Sequence, residues 1–150
     1  MGLDMYLEAE LYVTDYDEKD KPLQEAIKEN APLGLGEFRP KNVSFEIAYW
    51  RKANAIHNWF VTNVQEGKDE CQKSYVSLDH LTELRDLCNK VLEDISLAPT
   101  LLPSQKGFFF GSYDYDEHYE YDLRRTVEKL DKILKSPDAK KWWITYQASW

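Results

Sequence analysis

Apolar side chains fall on every second residue from Leu3 to Val13: Leu3, Met5, Leu7, Ala9, Leu11 and Val13, with Asp4, Tyr6, Glu8, Glu10 and Tyr12 between them. A period of two sends alternate side chains to opposite faces of a strand, so this stretch commits the chain to a sheet with one buried face. The rest of the chain must supply that sheet with partners and with a cover.

The remaining segments predict both. The acidic run TDYDEKD reads as a loop, Pro22 opens a short helix through Lys28, and residues 31–42 read as a loop around PLGLGE. VSFEIAYW predicts a second strand with Val43, Phe45 and Ile47 on one side. A helix is expected to begin between Trp50 and Lys52, with a buried seam of Tyr49, Ala53, Ile56, Phe60 and Val64 at spacings of three and four. QEGKDECQK breaks that rhythm as a turn or loop. Ser77 is placed to cap a further helix whose apolar face is Leu81, Leu84, Cys88, Val91 and Ile95. SLAPTLLPSQKG is a connector and GFFFGS reads as a short strand. Asp114, followed three residues later by Glu117, predicts a capping box for a long helix from Tyr115 to about Leu134. Its inward stripe is Tyr119, Leu123, Val127, Leu130 and Leu134, with Glu120–Arg124 and Glu128–Lys132 paired outside. The tail WWITYQASW reads as a final strand. This order lacks the regular strand–helix alternation of a doubly wound sheet. The expected class is α+β: a small, largely antiparallel sheet of about four strands packed against three main helices, in the single domain that 150 residues suit.

Charge and cysteine usage narrow the partners. A formal net charge of -8 and an isoelectric point near 4.9 argue against binding along a nucleic-acid backbone, which calls for clustered Lys and Arg. Cys71 and Cys88 form neither a disulfide framework nor a paired zinc spacing, which points to a reducing cytoplasm. The opening residues lack a basic, apolar leader, no apolar run reaches membrane-spanning length, and Tyr6 stands where a myristoylation motif wants Ser or Thr. No membrane partner is expected.

The chemistry concentrates in YWRKANAIHNWF, residues 49–60. On the expected helix, Trp50, Asn54, His57 and Val61 share a stripe, with Arg51 and Asn58 on its flank. Stacking, amide hydrogen bonds and a cation are what a planar, anionic ligand requires, and Arg51 and Lys52 near a helix start can take a phosphate. Ser112, at the end of GFFFGS, adds a hydroxyl. The predicted ligand set is Trp50, Arg51, Asn54, His57 and Ser112, for a nucleotide-like molecule. The competing explanation is structural: Trp50 and Trp59 packing on the sheet, His57 holding a buried hydrogen bond, and Arg51 and Lys52 neutralising carboxylates. A second candidate surface is YDYDEHYEYD, where Asp114, Asp116, Glu117 and Tyr121 either cap a helix and complement its dipole or engage a basic host protein. No catalytic residue, cofactor or metal is predicted. His57, His80 and His118 lie in separate elements without an HExxH pattern, the Cys71–His57 pair has no supporting spacing, and neither GxGxxG nor a phosphate loop occurs. The aromatic tail leaves room for a homodimer.

MGLDMYL, YWRKANAIHNWF, YVSLDHLTELRDLC, LLPSQKGFFFGS and YDEHYEYDL together resemble a group of small bacteriophage and prophage proteins. Members of that group are sometimes labelled phosphoglycerate kinase, a label that a 150-residue chain without a phosphate loop does not fit. The resemblance implies a non-catalytic protein of the host cytosol that sequesters a nucleotide-like signalling molecule. Its alternatives are an inhibitor of a host protein and, third, a small nucleotide-processing hydrolase.

Overall fold

The computed structural model describes residues 2–107 and 109–150. β1 is Asp4–Tyr12, and its buried positions follow the period of two: Leu3, Met5, Leu7, Ala9 and Val13 are all within 4% of full burial. β2 is Asn42–Arg51, β3 the two-residue Ser74–Tyr75, and β4 Trp143–Ser149. They form one four-stranded sheet in the order β2-β1-β4-β3. β3 runs antiparallel to β4, with Ser74 opposite Tyr146 and Tyr75 opposite Thr145. The fold is α+β, as the sequence predicts, with five helices rather than three among the described residues.

The helices are α1 Lys21–Asn30, α2 Asn54–Asn63, α3 Leu78–Glu93, the single turn α4 Ala98–Leu101, and α5 Glu117–Leu134. α3 begins where Ser77 predicts: its hydroxyl accepts from the His80 N–H, and the His80 ring accepts from the Ser77 N–H. Two backbone donors that a helix start leaves orphaned are thereby satisfied. Leu81, Leu84, Cys88 and Val91 are buried, while Ile95 lies beyond the helix end and is 38% exposed. Burial pushes the Cys88 thiol up to about 12, so it packs as an apolar group.

α5 starts two residues later than expected. Asp116, not Asp114, is its cap, its carboxylate accepting from the N–H groups of His118 and Tyr119. The buried positions are Tyr119, Leu123, Thr126, Leu130 and Ile133, with Val127 and Leu134 half-buried beside them, and the Glu120–Arg124 pair forms at 3.2 Å.

By its contacts the chain divides into two compact units: Met1–Ala9 with Glu46–Trp150, and Glu10–Phe45. The smaller holds α1, the facing ends of β1 and β2 joined by the Val13 N–H to the Lys41 carbonyl, and an Arg39–Asp15 ion pair. Phe45, on the same side of β2 as Val43 and Ile47, is 57% exposed. The larger unit holds the main core. Leu3, Met5 and Leu7 of β1, Ala48 and Trp50 of β2, and Ile144, Tyr146 and Ala148 of β4 meet Ile56 and Phe60 of α2, the α3 stripe, and Leu123 and Leu130 of α5.

Among the described residues of GFFFGS no strand forms: Phe108 lies outside them, Phe109 is in a turn, Phe110 in a bend, and Gly107, Gly111 and Ser112 have no regular structure. The third strand is instead Ser74–Tyr75, too short to carry a period.

Candidate functional site

The block Tyr49–Phe60 is not one helix. Tyr49, Trp50 and Arg51 complete β2, and the chain reverses at Lys52, whose φ of 59° is left-handed, before α2 begins at Asn54. A left-handed lysine costs on the order of 1–3 kcal/mol unless its surroundings hold it. Here the Lys52 N–H bonds to the Leu3 carbonyl at 2.8 Å, and the Lys52 carbonyl accepts from the Asn54 N–H at 2.9 Å. Gly111, itself at φ 89°, comes so close that a Cβ there would lie 3.2 Å from the Lys52 Cβ. That approach and that φ together call for glycine.

The reversal separates the residues that sequence periodicity had put on one stripe. Trp50, as a strand residue, points into the core at 4% exposure. Its Nε1–H donates to Thr126 Oγ1 at 2.9 Å, and the Thr126 hydroxyl donates to the Asp122 carbonyl at 2.7 Å, tying the end of β2 to the middle of α5. Tyr49, expected in the buried seam of a helix, is a strand residue 36% exposed, with its hydroxyl on Asp4. His57 is fully enclosed. Its Nδ1 meets the Tyr146 hydroxyl at 2.7 Å and its Nε2 the Asp69 carboxylate at 3.0 Å, while the other Asp69 oxygen accepts from Trp150 Nε1. The chain Tyr146–His57–Asp69–Trp150 thus pins the loop after α2 and the C-terminal residue. Trp50 and His57 are enclosed, with the Trp50 indole N–H and both His57 ring nitrogens engaged within the protein.

Asn54 is buried too, and its amide is spent: Nδ2 donates to the carbonyls of Phe110 at 3.0 Å and Ser112 at 2.8 Å, and Oδ1 accepts from the Gln105 N–H at 3.1 Å. One side chain therefore holds both ends of the 105–112 loop. This fixes the loop against the start of α2 and shapes what lies beside it.

Beside it is a cavity of about 360 Å³, near the lower end of the roughly 300–1,000 Å³ typical of small-molecule sites. One wall is Arg51, Lys52 and the first turn of α2. A second is the loop, with Ser104, Gly111, Ser112 and Asp114. The third is the start of α5, with Asp116, His118, Tyr121 and Asp122, above the buried Tyr119 and Leu123. Of the predicted ligand residues, Arg51, Asn54 and Ser112 meet here. Of the second set, Asp114, Asp116 and Tyr121 line the same cavity, and Glu117 lies on the exposed surface outside that lining. The two candidate sites become one.

Electrostatics divide the cavity. Arg51 and Lys52 are exposed cations beside a helix start that no side chain caps. The N–H groups of a first helical turn carry partial positive charge and lack intrahelical acceptors, so this wall attracts anions. The α5 wall is acidic. Asp116 is occupied as a cap, whereas no side-chain or backbone donor among the described residues reaches the Asp122 carboxylate. Burial pushes Asp122 up to about 6, with His118 and Arg125 pulling it down and Asp116 adding to the rise.

Ser104 was not among the predicted site residues; Lys52 figures in the sequence only as a phosphate contact and His118 and Asp122 fall within the YDYDEHYEYD surface, but none of the three is in the predicted ligand or protein-binding sets. For Asp122 a signal existed: it stands three residues after inward Tyr119 and directly before inward Leu123, at the margin of a buried stripe. The Lys52 turn carries no such signal, because a lysine does not announce a left-handed φ.

Among the described residues no group of three or more His, Cys, Asp and Glu side chains is arranged to hold a metal ion, and no helix is long and apolar enough to cross a membrane. Searches against protein-family models, curated proteins and solved structures find no match for this chain.

Proposed function

We propose that this chain is a non-catalytic binding protein that holds a nucleotide-like small molecule in the cavity between the start of α2, the 105–112 loop and the start of α5. The observation that carries this reading is the pairing of Arg51 and Lys52 with the uncapped first turn of α2 on one wall of a cavity of ligand size. An anionic group such as a phosphate sits at that wall, where side-chain charge and helix N–H groups act together. Tyr121, 55% exposed at the cavity, supplies the aromatic face first expected from Trp50, and the hydroxyls of Ser104 and Ser112 complete the polar lining. Asn54 and His57 have their polar atoms engaged within the protein, which supports retention of the ligand rather than its conversion. The resemblance to small phage proteins gives the reading its setting: the host cytosol, with a host signalling nucleotide as the ligand.

The test is calorimetric titration of a panel of mononucleotides into the protein and into Arg51→Ala, followed by chromatography of the recovered ligand. Loss of one charge-assisted contact weakens binding about tenfold or more, and the ligand returns unchanged. A panel that does not bind, or a product that accumulates, contradicts the proposal.

A further inference from the structure

The cavity is not a general anion site. Its two side-chain cations, Arg51 and Lys52, share it with three carboxylates, those of Asp114, Asp116 and Asp122. A polyphosphate would bring several negative charges against that acidic wall, and like charges at close range are costly. A ligand with one anionic group and, away from it, hydrogen-bond donors suits both walls.

Among the three carboxylates, Asp122 differs from its neighbours. Asp116 already accepts two N–H bonds as the α5 cap, and Asp114 is exposed on the loop. Asp122 is half-buried on the α5 face, and its position is set by Trp50 and Thr126 behind it. An ionised carboxylate is an acceptor only, and one that is partly withdrawn from water with no donor among the described residues carries a free-energy cost for its charge. Partial burial at the cavity wall, with no such donor, raises Asp122 in the same direction. A ligand donor offsets it.

Resting on the reading of the cavity as a nucleotide site, we infer that Asp122 receives an amino group on the base of the ligand, so that the site selects mononucleotides with an amino-bearing base over those presenting a carbonyl at the same place. The chemistry is that of a carboxylate accepting from the exocyclic amine of cytosine; the carbonyl of uracil at the equivalent position meets the same carboxylate acceptor to acceptor. Tyr121 lies next to Asp122 in the same lining; Arg125 sits over its ring at 5.7 Å and donates to its hydroxyl, so a base can lie only against the face that Arg125 leaves.

Cytidine and uridine monophosphate are the discriminating pair, because they share sugar and phosphate and differ on one base edge, where cytosine carries the amino group beside an unprotonated N3 and uracil carries the carbonyl beside an N3–H. Each is titrated calorimetrically at pH 7.5 into the native protein, Arg51→Ala and Asp122→Asn, with thermal unfolding run on every variant to show that it is folded. The native protein binds the cytidine nucleotide about tenfold more tightly, the discrimination expected of one good base contact. In Asp122→Asn the two affinities converge to within about twofold while the uridine affinity holds, since an amide both donates and accepts. In Arg51→Ala both fall together. Equal affinities in the native protein, with both lost in Arg51→Ala, overturn the role of Asp122 and leave the nucleotide site standing. A preference that survives in Asp122→Asn overturns it as well. No binding of either nucleotide overturns both proposals.

Discussion

His57 and Arg51 stand six residues apart in one polar, aromatic block, and the protein treats them in opposite ways. His57 is enclosed, with both ring nitrogens engaged and with Phe110 set edge-on to the ring at 5.3 Å. Arg51 is exposed at a cavity beside a helix start that lacks a cap. The pairing of polar atoms, more than the residue type, separates a group that holds the fold from one left open at a cavity. A buried polar side chain that is satisfied stabilises; an open one leaves its capacity for something else.

The comparison can be broken most decisively at His57. His57→Ala leaves the Tyr146 hydroxyl and the Asp69 carboxylate without a partner and opens a void, so urea unfolding is expected to lose about 3–5 kcal/mol. Retention of full stability would mean that the buried chain holds nothing. Asn54 shares properties of both residues, being buried like His57 and adjoining the cavity like Arg51. Asn54→Ala releases the Gln105, Phe110 and Ser112 backbone groups and is expected to lower stability by about 2–3 kcal/mol, with faster amide exchange across 105–112.

Asp122 gives the comparison a pH dependence with the opposite sign. Its folded value, about 6, lies above the ordinary 3.8. The carboxyl is neutral in both folded and unfolded states at low pH; as pH rises through 3.8 to about 6 the unfolded chain ionises while the folded carboxyl holds its proton, so stability falls across that window. Asp122→Asn is therefore expected to be more stable than the native chain at pH 7, by about 1–2 kcal/mol once the partial exposure of the group is allowed for, and equal to it near pH 3. The charges that act on Asp122, those of Asp116, His118 and Arg125 on its own helix, and the charged residues elsewhere in the cavity lining, Arg51, Lys52 and Asp114, remain in place in that variant. A variant less stable than native at pH 7 would reverse the assignment. Arg51→Ala should show the smallest effect on stability, within about 0.5 kcal/mol, because it removes an exposed side chain.

Much of the fold was legible where a single local pattern decided it. The alternation of Leu3 to Val13 names a strand with one buried face, Ser77 names a helix start, and the Tyr119–Leu123–Leu130 spacing names an inward stripe. β3 was not legible, because two residues have no period and become a strand only by pairing with Tyr146 and Thr145. GFFFGS misled for the converse reason: its apolar run suggests a buried strand, yet its described residues form a loop that Asn54 ties down. For the site, Arg51, Asn54 and Ser112 line one cavity, although the stripe that suggested the grouping does not exist. Residue spacing assumed one continuous helix from Trp50, and the left-handed turn at Lys52 rotates Trp50 into the core instead. The acidic cluster was legible as charge, but its convergence with Arg51 in one cavity depends on the Trp50–Thr126 contact, 76 residues apart in the chain.

The central claim is that the start of α2 is where this protein meets a ligand, and amide chemical shifts report on it directly. Cytidine monophosphate titrated into ¹⁵N-labelled protein should move the N–H resonances of Arg51, Lys52, Ala55 and Ile56 and those of the first turn of α5, while the Trp150 indole N–H, held by Asp69 on the buried His57 chain, stays in place. Resonances at the start of α2 that stay still while the nucleotide binds elsewhere would contradict the account.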